Sequence, residues 1–225
     1  MIPWERLDRV QVPGNGGEMV LYRRGKEYSI RLGHYELMNS RVYGSEDALA
    51  DLACAKLGPR PGTRILVGGL GMGYTVASAL RHLEDDGRIV VAELVPDVVK
   101  WNCGVLSELA GRPLEDERVT VRIGDVAVVI REQGGAYDAI LLDVDNGPAG
   151  LTRKDNNWIY SEDGLAAAYA ALKPAGVLAV WSTGPERIFT RRLNRVGFIV
   201  SEVRVRSRGA QGGSQHVIWL AQVKR

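Results

Sequence analysis

Arg64-Ile-Leu-Val-Gly-Gly-Leu-Gly-Met-Gly73 is an apolar run that breaks into alternating glycines. About twenty residues later a second apolar run, Arg88-Ile-Val-Val-Ala, ends in Glu93. A strand, a glycine turn opening a helix and a strand tipped by an acid form the adenosine-binding half of a doubly wound α/β sheet. Glycines let backbone N–H groups approach a ligand where a Cβ would collide, and a carboxylate accepts hydrogen bonds from both ribose hydroxyls. The spacing then selects the nucleoside. Nicotinamide-binding folds use G-x-G-x-x-G, whereas Gly69, Gly71 and Gly73 give G-x-G-x-G, with Tyr74 where the third glycine should fall. That pattern points to an S-adenosylmethionine-type site. Gly68, Gly69, Gly71 and Gly73 would approach the methionine part, and Glu93 the ribose.

From Arg64 onward the pattern alternates between strand and helix, as a parallel sheet covered on both faces requires. Strands are expected near 64–68, 88–93, 119–123, 137–143 and 176–182, and helices near 73–84, 96–110, 125–132 and 161–172. The chain closes differently. Gly197 to Arg206 and Gln215 to Ala221 flank a glycine-rich loop and read as an antiparallel hairpin. The expected fold is therefore Rossmann-like α/β: a doubly wound, mostly parallel seven-stranded sheet with a C-terminal antiparallel hairpin, the class I S-adenosylmethionine methyltransferase fold. Residues 1–60 precede this domain, which spans 61–225. In them Glu18 to Arg23 and Glu27 to Leu32 read as a small β-hairpin, and Ser45-Glu46-Asp47 caps a helix through Leu57.

Composition sets bounds. The 225 residues carry a formal charge of +2, so net charge implies no polyanionic partner, and nucleic acid is not expected. A mildly basic end (Arg187, Arg191, Arg192, Arg195, Arg204, Arg206 and Arg208) reads as a solvated helix face and strand edge. No run approaches the ~18 apolar residues of a membrane span, and the first residues lack a signal-peptide core. Cys54 and Cys103 have no C-x-x-C partner and read as reduced, packed thiols in a cytoplasmic protein. No metal is expected, because His34, His82 and His216 are far apart and no cluster has ligand spacing.

In such sheets the ligand lies beyond the carboxyl ends of the strands. After the third strand, Asp125 can accept a hydrogen bond from the adenine amino group, or cap the helix that follows. After the fourth, Asp143 leaves the sheet beside the ligand's reactive end, before Val144-Asp145-Asn146-Gly147-Pro148 turns the chain. Asn146, Asn157, Trp158 and Tyr160 lie in the long segment beyond, where a lid or acceptor pocket would form. Trp158 and Tyr160 could equally pack that segment onto the sheet.

These motifs together resemble the spermidine synthase family, aminopropyltransferases with a methyltransferase-like fold. The resemblance runs through Val67 to Gly73, Val-Val-Ala-Glu93, Gly-Asp125, Tyr137 to Asp143, Gly147-Pro148 and Ala171 to Leu178. It implies a homodimer and a small-molecule substrate. Three departures matter. The family's loop acid, which would grip the amine of decarboxylated S-adenosylmethionine, is replaced by Gly71. Of the paired acids that hold the acceptor amine, Asp143 matches the first, Asn146 replaces the second, and Asp145 is shifted by one place. The family's Tyr-His-Glu falls on Ser45-Glu46-Asp47, which keeps Glu46 as a substrate-facing acid but loses the aromatic wall.

An amine beside a carboxylate at ~4 Å is worth on the order of 4 kcal/mol before desolvation, at an effective dielectric of ~20. Without the acid, ordinary S-adenosylmethionine becomes the expected cofactor, and methyl transfer to a small acceptor, an amine among the candidates, the leading expectation, with Asp143 as base. Aminopropyl transfer from the decarboxylated cofactor, with Glu46, Asp47 and Asp145 replacing the lost acids, is the alternative. A nucleoside-binding protein without catalysis is a third.

Overall fold

The computed structural model describes residues 2–14, 16–132, 134–144, 147–148 and 158–224. Four N-terminal strands, β1 (Glu5–Gln11), β2 (Glu18–Arg24), β3 (Glu27–Leu32) and β4 (Tyr35–Asn39), form an antiparallel sheet in the order β1-β2-β3-β4. The expected hairpin is its centre, β2 and β3. Its flanking strands escape a sequence reading because β1 is largely exposed and charged, as sheet edges tend to be, and β4 is only five residues long. Asp8 in β1 accepts a hydrogen bond from the Trp101 indole at 2.8 Å and pins this sheet to the rest of the molecule.

Helix α1 (Gly44–Leu57) leads into β5 (Arg64–Gly68), α2 (Tyr74–Leu80), β6 (Arg88–Glu93), α3 (Pro96–Cys103), β7 (Val119–Ile123), α4 (Val126–Arg131) and β8 (Tyr137–Leu142). The chain continues through α5 (Glu162–Ala171), β9 (Leu172–Ser182), α6 (Arg187–Val196), β10 (Ile199–Arg206) and β11 (Gln215–Gln222). The seven strands from β5 onward order as β10-β11-β9-β8-β5-β6-β7. Strands β7, β6, β5, β8 and β9 run parallel, and β11 and β10 close the sheet antiparallel, which is the architecture expected from the alternating pattern.

Strand periodicity sends successive side chains to opposite faces. Ile65, Val67, Ala139 and Leu141 enter one core with α1, α2, α3 and the N-terminal sheet. Leu66, Ile140, Leu142 and Val180 enter the other with α4, α5 and α6. A strand covered on both sides can be apolar throughout, and all of β8 is buried.

The helices are shorter than their sequence patterns. Glycine at 104 stops α3 at Cys103, and the expected remainder becomes a 3₁₀ turn over Ser107–Ala110. The cap of α1 is Tyr43, without a side-chain hydrogen bond, so Ser45 does not have the capping role expected of it. Its hydroxyl is used elsewhere. Cys103 is exposed rather than packed, while burial pushes the Cys54 thiol up to about 11. Most of the C-terminal arginines are exposed, and Arg192 donates to the Tyr160 carbonyl at 3.2 Å. Among the described residues no helix is long and apolar enough to cross a membrane.

Asp138 locks the amino ends of the central strands. It is 4% exposed, accepts from Lys173 Nζ at 2.6 Å and from the Arg64 backbone at 2.8 Å, and lies 3.7 Å from Arg60. Removing it strands a buried N–H and an ammonium. Asp138→Ala is expected to cost about 2–3 kcal/mol in urea unfolding, whereas Glu162→Ala, which breaks an exposed pair with Arg195, should stay within ~0.5 kcal/mol.

Candidate functional site

A cavity of about 260 Å³ opens at the carboxyl ends of the parallel strands, beneath the N-terminal sheet. Five carboxylates line it, one from each of five places: Glu36 on β4, Glu46 on α1, Glu93 at the end of β6, Asp125 after β7 and Asp143 after β8. Among the described residues no lysine or arginine joins them, and His216 on β11 is the one imidazole. Apolar walls come from Leu94, Val95, Val98, Val126 and Val144.

Glu93 is 7% exposed, and its two oxygens accept from the backbone N–H groups of Leu70 and Val95, each at 2.8 Å. Burial raises its pKa and these donors oppose the rise. The carboxylate thereby ties the glycine loop to β6 and keeps spare acceptor capacity toward the cavity. Asp125 caps α4 by accepting from Ala127 N at 2.8 Å and also lines the cavity, so the two expectations for it coincide in space.

Asp143 is fixed through its backbone N–H, which donates to Gly68 O at 3.0 Å, and through its carboxylate, which accepts from the Thr75 hydroxyl at 2.8 Å. Glu46, in the first turn of α1, accepts from Ser45 Oγ at 2.6 Å. Burial, then the facing Asp143, pushes Glu46 up to about 8. Burial likewise pushes Asp143 up to about 6, against the Thr75 hydrogen bond. Near neutrality the pair therefore titrates as a unit that retains a proton.

The glycines divide. Gly69 and Gly71 line the cavity, both with positive φ (+86° and +54°). A Cβ on Gly69 would lie 2.5 Å from the Asp143 carbonyl oxygen. Gly68 and Gly73 do not line it. Their bareness admits Val126 and Leu142 in one case, Asn102 and Pro113 in the other. At Gly71 the space is filled from β4, since a Cβ would meet Met38 Cε at 2.5 Å.

Trp158 and Tyr160 do not line the cavity. Tyr160 is buried against Phe189 and donates to the Val144 carbonyl at 3.0 Å, and Arg131 stacks over Trp158 at 4.3 Å. Tyr160 thus joins the core beneath α6, and Trp158 packs beside α4. Asp145, Asn146 and Asn157 lie outside the described residues. Asp47 turns away to pair with Arg81 at 3.5 Å. The residues that sequence reasoning missed are Glu36, Ser45, Thr75, Trp181 and His216, which come from separate elements and share no motif. Among the described residues no group of acids, cysteines and histidines could hold a metal.

No protein-family model matches the chain. A polyamine aminopropyltransferase from Thermoanaerobacter sp. (strain X514) is 28% identical over 146 residues, 64% of this chain and 48% of the relative. Another, from Nitrosomonas europaea, is 32% identical over 127 residues, 56% of this chain and 36% of the relative. The chain thus spans about half the length of the relatives it matches. In structure it is similar to spermidine synthase from Thermotoga maritima, with a TM-score of 0.76, 19% identity and coverage of 96% of this chain and 72% of the other. A spermidine synthase in complex with the transition state analogue AdoDATO gives the same TM-score at 18% identity and the same coverage.

These findings overturn methyl transfer as the leading reading, since the similar proteins are aminopropyltransferases and spermidine synthases. The physical reason lies at Gly71: the missing acid leaves no room for a carboxylate, because Met38 packs over that position and the surrounding wall is acidic. In sequence and in fold, the chain is spermidine synthase-like.

Proposed function

We propose that the chain is a transferase that moves an aminopropyl group from decarboxylated S-adenosylmethionine to an amine acceptor. One observation carries the reading: five carboxylates line the cavity, with no lysine or arginine among the described lining residues. Decarboxylated S-adenosylmethionine carries a sulfonium and a primary ammonium and no acid, so its charge complements this wall. The intact cofactor would bring its carboxylate into the same field without a counter-ion.

In this reading Glu93 takes the ribose hydroxyls, Asp125 and the apolar walls take adenine, and the aminopropyl arm passes the bare backbone of Gly69. Glu46 and Glu36 supply the negative charge that the loop lacks at Gly71. The acceptor nitrogen, held in line at ~3–3.5 Å, attacks the carbon next to sulfur. An N–C bond forms, the C–S bond breaks, and its electron pair stays on sulfur as a neutral thioether. The acceptor enters as an ammonium ion and must lose one proton before its lone pair is free. Asp143 and Glu46, raised toward neutrality, are matched to take it.

Titration calorimetry tests the charge argument. The decarboxylated cofactor is expected to bind at least tenfold more tightly than the intact one, and Glu93→Ala should weaken both. Equal or reversed affinities would remove the basis of the proposal. Turnover is expected with a diamine such as putrescine, and Asp143→Asn should lower kcat at least 100-fold.

The pH dependence has a definite sign. The ionised carboxylates bind the cation, and their pKa values are raised in the free protein, so below those values binding must expel a proton. Affinity for the decarboxylated cofactor should rise with pH through the neutral range and level off above about 8, where Glu46 is ionised. Glu46→Gln should abolish the upper part of that rise. A flat profile in the wild type would contradict the assignment of Glu46.

A further inference from the structure

We propose that Ser45 and His216 form a relay that carries the acceptor's proton from Glu46 out of the cavity. The inference rests on the aminopropyl-transfer reading, whose overall reaction releases one proton: ammonium plus sulfonium give a secondary ammonium, a neutral thioether and H⁺. That proton appears deep in the site, where a carboxyl group that kept it could not serve the next acceptor.

The geometry supplies the way out. Ser45 is fully buried, and its hydroxyl lies 2.6 Å from Glu46 Oε2 and 3.1 Å from His216 Nδ1. A hydroxyl both donates and accepts, so this one can reverse. With Glu46 ionised it donates to the carboxylate. With Glu46 protonated it accepts from the carboxyl and donates to Nδ1. One O–H bond forms at Ser45 as another breaks, the imidazole gains a proton at Nδ1, and it loses one at Nε2. The ring is only partly buried, and among the described residues Nε2 makes no hydrogen bond; in the proposed relay this nitrogen passes its proton on to water.

The ring is also held. Trp181, at the end of β9, meets it edge-to-face with centroids 4.7 Å apart and planes at 88°. Burial lowers the His216 pKa, which leaves the imidazole neutral and able to accept. The charged groups around it are few. Glu46 on α1, Asp143 at the end of β8 and Glu36 on β4 line the same cavity, and Trp181 is uncharged. On β10 its partner is Val205, and the flanking Arg204 and Arg206 are exposed. Ser45 thus has a reason to sit in the first turn of α1 with its hydroxyl turned inward, although it does not cap the helix.

Two measurements test the relay. In the ligand-free protein, the ¹⁵N resonance of His216 Nδ1, assigned with His216→Gln, is expected to move twice with pH. One step is the ring's own protonation, and the other coincides with titration of Glu46. Ser45→Ala and Glu46→Gln should each abolish the second step while leaving thermal melting cooperative. A wild-type Nδ1 resonance with a single step would overturn the relay whatever the enzyme's activity. In turnover, Ser45→Ala and His216→Gln should lower kcat at least tenfold with the acceptor KM within twofold, and imidazole should partly restore His216→Ala. Unchanged kcat, or a loss confined to KM, would overturn it. If the wild type turns over no amine acceptor, the function proposed above is what fails, and the resonance titration still decides whether Glu46, Ser45 and His216 exchange a proton.

Discussion

The site is organised by unbalanced negative charge in a confined space. Carboxylates from β4, α1 and the ends of β6, β7 and β8 converge on one cavity without a basic counterpart among the described lining residues. Burying carboxylates together is unfavourable unless they neutralise or find a cation. The protein uses three remedies. Glu93 and Asp125 receive backbone N–H groups, Asp143 receives a hydroxyl, and Glu46 shifts toward its protonated form. Each remedy leaves charge or acceptor capacity facing the cavity.

That convergence depends on the sheet. Parallel strands deliver their carboxyl ends to one edge, and the N-terminal sheet closes over it, contributing Val12, Leu21 and Ile30 to the same core as α1 and α2. Glu36 and Met38 reach the cavity from that roof. The glycine loop is held from beneath by Glu93 and from the side by Asn102, whose amide donates to the Gly71 carbonyl at 2.8 Å. Loop, acid and roof therefore form one assembly, and a change in any of them alters the electrostatic surface that lines the cavity.

Much of this was legible in the order of residues. The strand-glycine-helix-strand-acid pattern predicted the sheet, the terminal hairpin and the edge on which Glu93, Asp125 and Asp143 sit. These depend on local periodicity and on acids directly after strands, which sequence records. Sequence does not record a residue's meaning where that meaning depends on a distant neighbour. Gly71 looked like room for a carboxylate, yet the space belongs to Met38, thirty-three positions earlier. Ser45 looked like a helix cap, yet its hydroxyl joins Glu46 to His216. Trp158 and Tyr160 are absent from the cavity lining and pack against Arg131 of α4 and Phe189 of α6.

By itself the sequence determined the α/β architecture, the sheet edge that carries the cavity and the acids at the strand ends, because hydrophobic period and turn chemistry act over a few residues. Only the tertiary structure decided the sign of the field in the cavity and the partners of Glu46. A potential is a sum over charges in space, and Glu36, Glu46, Asp143 and His216 approach one another only after the roof, the first helix and the last hairpin have folded over the same edge.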